Sequence, residues 1–226
     1  AKTESIPIIV WERKKLIEIE QQLKESGAKV LLSVNFGYLI PQVMLDIFPY
    51  SLNLHTGFLP WNKGSHPNVW PFIDDSPAGV TLHIMTAELD SGRVISRKLV
   101  PLLPEDNAKT LYVKLEGASL ELLKESFIPF LKGEIEPFTP EEVGSYHTHQ
   151  DFLKLFEIKM DQVYSGKAWV GLLKALTFPP YKNAFFYENG KKYHVSIEIS
   201  DYMENSENST IIPPYFAIGR KRPERK

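Results

Sequence analysis

At 226 residues, 43% of them hydrophobic, the chain is long enough for one substantial core, or for a main domain with a small second one. Its 26 Lys and Arg against 28 Asp and Glu give a formal net charge of -2, without the basic excess of a protein that lives on nucleic acid; only the short run 220–226 is basic, and it reads as a solvated terminus. The lack of cysteine excludes disulfides, thiolate nucleophiles and zinc–cysteine sites, no apolar run approaches the roughly 20 residues of a membrane helix, and the polar start carries no signal-peptide pattern, which together suit a cytoplasmic setting.

Residues 5–11 read as a short strand, from Ile6, Ile8, Ile9 and Val10. Residues 16–26 put Leu16, Ile19 and Leu23 on one stripe and predict a helix that Gly27 ends. The run 30–34 has no polar alternation, as expected of a strand buried on both faces of a parallel sheet. A short helix near 41–47 and a strand at 51–55 follow. The alternation β-α-β-α-β predicts a Rossmann-like α/β core with a mainly parallel sheet, one opening strand–helix unit short of the usual doubly wound pattern. Strands at 79–86 and 93–102, turned at Ser91-Gly92, lead into a long amphipathic helix at 109–131, which Gly133 and Pro137 terminate. A boundary near 138–149 then separates a catalytic domain, 1–137, from a small C-terminal α+β domain, 138–226. Its segments are 151–158, 165–176, 183–187 and 193–199, with an Asn189-Gly190 hairpin turn, and 202–209 reads as a polar loop.

Three polar groups stand out by position. Asn53 and His55, two apart on a strand, share one face and sit at its carboxyl end, where open α/β sheets place ligands. Asp90 lies just beyond the next strand. Taken singly, a strand-end His is more often structural, and an Asp before Ser-Gly is more often a turn residue. His83 lies mid-strand and reads as structural; His147 and His149 read as solvent-side.

The combination carries more. Ser51-Leu52-Asn53-Leu54-His55-Thr56-Gly57-Phe58-Leu59-Pro60, then Gly64, Pro67-Asn68-Val69-Trp70, Gly79-Val80-Thr81-Leu82-His83 and Leu89-Asp90-Ser91-Gly92 resembles the folate-dependent formyltransferase family over roughly residues 30–135. That family includes methionyl-tRNA formyltransferase, glycinamide ribonucleotide formyltransferase and the sugar N-formyltransferases. The resemblance implies formyl transfer from 10-formyltetrahydrofolate to an amine, with no metal. Asn53, His55 and Asp90 are then catalytic, and Phe36, Gly37, Tyr38, Leu39, Ile40, Met85 and Asp90 hold the folate. The residue types suit the reaction. Asn53 and a protonated His55 can stabilise the oxyanion that forms on the formyl oxygen. Asp90 and His55 can shuttle the proton, Asp90 favouring the imidazolium.

In the C-terminal third, Lys174-Ala175-Leu176-Thr177-Phe178-Pro179-Pro180-Tyr181-Lys182-Asn183-Ala184-Phe185-Phe186 resembles the sugar N-formyltransferases, as does the loop 61–70. This implies a nucleotide-linked amino-dideoxy sugar as acceptor, dTDP-linked, made for surface polysaccharide, and a homodimer. Lys63, Tyr181 and Asn183 become the expected substrate contacts. Tyr181 could stack on a base or join the small domain's core; for Phe178 and Phe185 the core reading weighs more. The alternatives are a methionyl-tRNA formyltransferase, which the charge and the short remainder disfavour, and a non-catalytic folate-binding scaffold, which the intact Asn53, His55 and Asp90 disfavour.

Overall fold

A computed structural model describes residues 8–201 of the chain. The basic run 220–226 and the loop expected at 202–209 lie outside the described residues. So do residues 5–7 of the expected opening strand, and residues 8–11 form no strand; Ile8 and Val10 are exposed, and no strand pairs with them among the described residues.

The first element is a 3-10 turn, Arg13–Lys15, running into helix α1 (Leu16–Glu25), which buries Ile19. Strand β1 (Val30–Val34), helix α2 (Gln42–Leu45) and strand β2 (Tyr50–His55) follow, then the two-residue strand β3 (Lys63–Gly64), the short helix α3 (Pro71–Asp74) and strands β4 (Gly79–Ile84) and β5 (Val94–Leu99). The central sheet has the order β1-β2-β4-β5. Parallel pairing, expected as the sheet's main mode, joins β1 to β2; β2–β4 and β4–β5 are antiparallel. β1 is half-buried rather than buried on both faces, because among the described residues it pairs only with β2.

Helix α4 (Ala108–Leu131) covers one face of this sheet. Asn107 caps it, its side chain accepting from the Lys109 and Thr110 amides while Thr110 reaches back to the Asn107 amide, so the first turn's free donors are satisfied. Leu111, Leu115, Leu122 and Phe130 of α4 pack with Leu52, Val80, Leu82 and Ile95 of the sheet into the main core. Each such side chain contributes about 1.5–3 kcal/mol when fully buried.

Beyond it come β6 (Tyr146–His147), α5 (His149–Lys154), α6 (Gly166–Leu176), the pair β7 (Thr177–Phe178) and β8 (Tyr181–Lys182), and the hairpin β9 (Phe185–Glu188) and β10 (Lys191–His194). The hairpin turns through Asn189 and Gly190, both at positive φ, the geometry that suits the twist of the flanking strands. A second core gathers Phe152, Leu172, Leu176 and Ala184 around Val69, Trp70 and Ala108. Residues on both sides of position 138 therefore share it. His147, expected at the solvent side, is instead stacked on Trp70 at 3.9 Å between ring centroids, with its Nε2 3.4 Å from Asp74; His149 is exposed.

Candidate active site

Strand alternation places Asn53 and His55 on one face at the carboxyl end of β2, and antiparallel pairing sets His83 of β4 directly opposite Asn53. His83 Nδ1 lies 3.0 Å from the Ile84 carbonyl, which can only accept, so the ring's hydrogen sits on Nδ1. Its Nε2 then accepts from the Asn53 side-chain amide at 3.2 Å. The same Asn53 nitrogen lies 3.4 Å from Asp90 Oδ1. Two acceptors on one side orient the amide.

Asp90 is held in the left-handed region, φ 51, one of the few places where a non-glycine residue takes it, and Asp tolerates it better than most. Two residues on, a Cβ at Gly92 would lie 1.7 Å from the Ile84 carbonyl oxygen, so only glycine lets the turn fold back against β4. The Asp90 carboxylate receives the Gly64 amide at 2.9 Å on Oδ2, and that oxygen is 3.7 Å from His55 Nδ1. The other ring nitrogen, His55 Nε2, donates to the Asn62 carbonyl at 2.9 Å. Gly57 makes room for this: a Cβ there would lie 2.4 Å from His55 Nε2.

Burial by itself raises the Asp90 carboxyl, but the His55 charge, His83 and the Gly64 amide outweigh it and bring it down to about 2. Burial is also the largest influence on His55, and it pulls the imidazole below its ordinary 6.5 against the opposing attraction of Asp90. Near neutral pH the pair therefore stands as a carboxylate beside a neutral imidazole. Asp90 favours the imidazolium as expected, while removal from water works against the charged ring.

Asn53, His83 and Asp90 line one cleft with Phe36, Tyr38, Leu39, Ile40 and Met85; His55 lies outside its lining. Of the residues expected to hold the folate, only Gly37 stays out of its lining. Tyr38 and Leu39 are exposed apolar side chains on its rim. A second, open cavity lies between His66, Asn68, Tyr112, Phe178, Tyr181 and Asn183. Tyr181 is 67% exposed and so is not a core residue. Phe178 packs partly into the second core, whereas Phe185 lies under the Lys192 ammonium at 3.5 Å. Lys63 sits on β3, next to Gly64, and lines neither cavity. No group of three or more His, Asp or Glu suited to a metal is found among the described residues, and no described helix is long and apolar enough to cross a membrane.

The spaced pattern held His83 and Gly64, with His83 read as structural, but not the contacts they make here, and it gave Asn62 no role. The contact of His83 with Asn53 follows only from the strand register. The other two act through main-chain atoms, which leave no side-chain signature.

Comparison with known proteins gives two family matches: the formyl transferase family over residues 4–126, and the N-formyltransferase dimerization C-terminal domain over residues 151–201. Among curated relatives, the methionyl-tRNA formyltransferase of Streptococcus thermophilus is 29% identical over 86% of this chain and 62% of its own length. That of a Streptococcus pneumoniae strain is 30% identical over 73% of this chain and 53% of its own. The chain thus spans between half and two thirds of the length of these relatives. Among solved structures, a 4-N formyltransferase from Francisella tularensis superposes with a TM-score of 0.77 at 26% identity, over 83% of this chain and 77% of that one. The formyltransferase PseJ from Anoxybacillus kamchatkensis, in complex with UDP-4,6-dideoxy-4-formamido-L-AltNAc and tetrahydrofolate, gives 0.56 at 31% identity, over 65% of this chain and 74% of that one.

Proposed function

The chain belongs to the folate-dependent formyl transferase family, and from that premise we propose that it moves a formyl group from 10-formyltetrahydrofolate to the amine of a nucleotide-linked amino-dideoxy sugar. The observation that carries the reading is the cleft in which apolar walls, Phe36 and Tyr38 to Ile40, end on a polar floor of Asn53, His83 and Asp90. A flat pterin suits such walls, and the reacting formyl group suits such a floor.

The amine nitrogen attacks the formyl carbon and the bond from that carbon to the folate nitrogen breaks. Between those events the formyl oxygen carries negative charge. Asn53 is the donor for it: its contact with Asp90 is long, at 3.4 Å, so that N–H can turn to the substrate oxygen. His55, held neutral, takes the amine's proton and passes it to the departing folate nitrogen. Asp90 stays ionised and steadies the imidazolium while it exists. The roles of Asn53, His55 and Asp90 as catalytic residues are part of this proposal.

The acceptor reading rests on the second cavity. Tyr181, Phe178, Tyr112 and His66 offer ring faces to a nucleobase, and Asn183 and Asn68 offer amides at its edge. Lys63, which opens β3 directly after Asn62 and has no ion pair among the described residues, is the cation this reading assigns to a phosphate or sugar hydroxyl. A tRNA acceptor is the second reading, favoured by the curated relatives' names. It would need several clustered Lys and Arg for its phosphates, whereas the chain's net charge is -2. Two solved structures above 25% identity are a 4-N formyltransferase and a complex with a UDP-linked 4-formamido sugar. A 4-amino sugar is therefore the first acceptor to test, with UDP and dTDP forms side by side. A homodimer in the cytoplasm, serving surface-polysaccharide synthesis, completes the proposal.

The test offers 10-formyltetrahydrofolate with dTDP- and UDP-linked 3-amino and 4-amino sugars and with charged initiator tRNA. Formylation of a nucleotide sugar, weakly dependent on salt, is expected. Formylation of the tRNA alone would replace this reading with the second one, and folate binding without turnover on any amine would make the protein a scaffold.

A further inference from the structure

We propose that Asn62 is the positioning residue of this site: through its main-chain carbonyl it keeps the His55 hydrogen on Nε2, which makes Nδ1, and not Nε2, the atom that takes the proton from the incoming amine. The inference rests on the formyl-transfer reading above.

A neutral imidazole carries one hydrogen, and its two nitrogens face different neighbours here. Nε2 is 2.9 Å from the Asn62 carbonyl oxygen, within hydrogen-bond reach, and a carbonyl can only accept. Nδ1 is 3.7 Å from Asp90 Oδ2, too far for a hydrogen bond. Placing the hydrogen on Nδ1 would set a bare ring nitrogen against a buried carbonyl oxygen. The favoured form leaves the Nδ1 lone pair open on the side of the carboxylate. When Nδ1 gains the amine's proton, Asp90 faces the new charge, and when the proton moves on to the folate nitrogen the starting form returns.

The Asn62 carbonyl can do this only if it does not move, and Asn62 is built to keep still. It is 1% exposed and sits at φ 61, a conformation asparagine adopts more readily than most residues. Its side-chain amide donates to the Pro77 carbonyl at 3.1 Å, its side-chain oxygen accepts from Ser76 at 3.0 Å, and its main-chain amide donates to Ser145 at 2.9 Å. The preceding stretch is pinned as well. Thr81 accepts from the Leu59 amide and donates to the Gly57 carbonyl, and Arg97 donates to the Leu59 carbonyl at 2.6 Å. Two residues after Asn62, the Gly64 amide holds Asp90. One loop thus presents an acceptor to the imidazole and a donor to the carboxylate, each matched to the form its partner takes in the resting site.

The direct test is nitrogen NMR on the 15N-histidine-labelled free enzyme near pH 7.5, with the His55 signals assigned by their loss in His55→Gln. Hydrogen on Nε2 is expected. A neutral His55 protonated on Nδ1 would overturn the proposal whatever the acceptor proves to be, because no substrate enters this measurement. The variant test is Asn62→Gly, chosen because glycine accepts φ 61 without strain and removes both side-chain anchors. Its His55 is expected to populate both forms. Its kcat should fall about tenfold, less than the 10²–10⁴ of a lost general base, with KM for both substrates unchanged. The rising limb of its pH profile should move to lower pH, since the imidazolium has lost an acceptor. Ser145→Ala, which frees only the Asn62 amide, should move all three readouts the same way by less. A folded Asn62→Gly that keeps a single Nε2-protonated form and the parent kcat would overturn the positioning role; if that variant does not fold, Ser145→Ala and the parent's NMR decide.

Discussion

The cleft floored by Asn53, His83 and Asp90 and the cavity between His66 and Tyr181 are joined by the short stretch 63–67, yet they are made of different materials. In the first, the groups at the floor are answered by others: Asp90 by Gly64 and His83 by Ile84, with His55, just outside the cleft's lining, answered by Asn62. Three of the groups that answer are main-chain atoms. In the second, aromatic faces dominate, Tyr181 open to solvent and the others half-buried or buried, and the two amides, Asn68 and Asn183, are tied back to the main chain at Ala108 and Leu176. A reacting centre needs fixed charge positions, whereas a binding surface for a planar group needs area. Substitutions should therefore act steeply and through kcat on the first, and gently and through KM on the second.

The largest effect is expected at the reacting groups. Asn53→Ala, His55→Ala and Asp90→Ala should each lower kcat, Asn53→Ala by about 10²–10³ as for a lost oxyanion donor, while the folded state survives by circular dichroism. Near-parent turnover in any one of them removes that residue from the mechanism, and a loss seen only in KM would erase the contrast between the two regions.

Next come the glycines, which separate crowding at the site from crowding elsewhere. Gly57→Ala pushes a methyl to within 2.4 Å of His55 Nε2 and 2.9 Å of the Asn62 carbonyl. Such overpacking costs about 1–3 kcal/mol of stability, and here it also displaces the base, so both the midpoint of denaturant unfolding and kcat should fall. Gly117→Ala, in the middle of α4, meets nothing within 4 Å and should stabilise by about 0.5–1 kcal/mol without touching kcat. Equal responses at the two positions would show that the site is less rigid than its hydrogen bonds imply.

The two regions also differ in how far the sequence reveals them. Elements with strong local signals stand where expected: β1 and β2, α4, and the Asn189-Gly190 turn. Most of the cleft's lining follows from the spaced pattern of residues. His83 belongs to that pattern, but its place opposite Asn53 does not follow from it, because that depends on which strands pair and in which direction, and is settled by the sheet rather than by neighbours in the chain. The contributions of Asn62 and Gly64 are hidden for a different reason: a carbonyl and an amide are present in every residue. Residues 8–11 carry the β-branched composition of a strand but form none, since propensity counts only where a neighbouring strand supplies the hydrogen bonds. In the second region Tyr181 could be read either as core or as surface, and its exposure follows from the turn between β7 and β8.

A smaller effect is expected at Tyr181. Stacking on a base is worth about 1–3 kcal/mol, so Tyr181→Ala should raise KM for the nucleotide sugar by about tenfold and leave KM for the folate and kcat unchanged. A fall in kcat instead would tie this cavity to the chemistry and undo the separation drawn between the regions.

The smallest effect tests how dry the second cavity is at its inner end. His66 stacks on Phe152 at 3.9 Å and lies near His149 at 5.2 Å, with φ 57 and a buried Nδ1 that has no hydrogen-bond partner among the described residues. Burial first, and the neighbouring His149 second, bring its imidazole down to about 4 from 6.5. In the unfolded chain the ring titrates near its ordinary value. Between these limits the unfolded chain therefore binds more protons than the folded one. Stability from this group is full above pH 6.5 and is lost as pH falls toward about 4. His55, also lowered by burial, acts with the same sign. His66→Asn keeps a residue that tolerates the left-handed backbone and cannot titrate. Relative to the parent it should lose stability at pH 7.5, where the ring's packing is missed, and should close that gap as the pH is taken down. Urea unfolding of both proteins at several pH values between 7.5 and 4 measures the gap directly. A gap that stays constant would mean that His66 is wetted in solution, and that the cavity receives its ligand by displacing water from the ring.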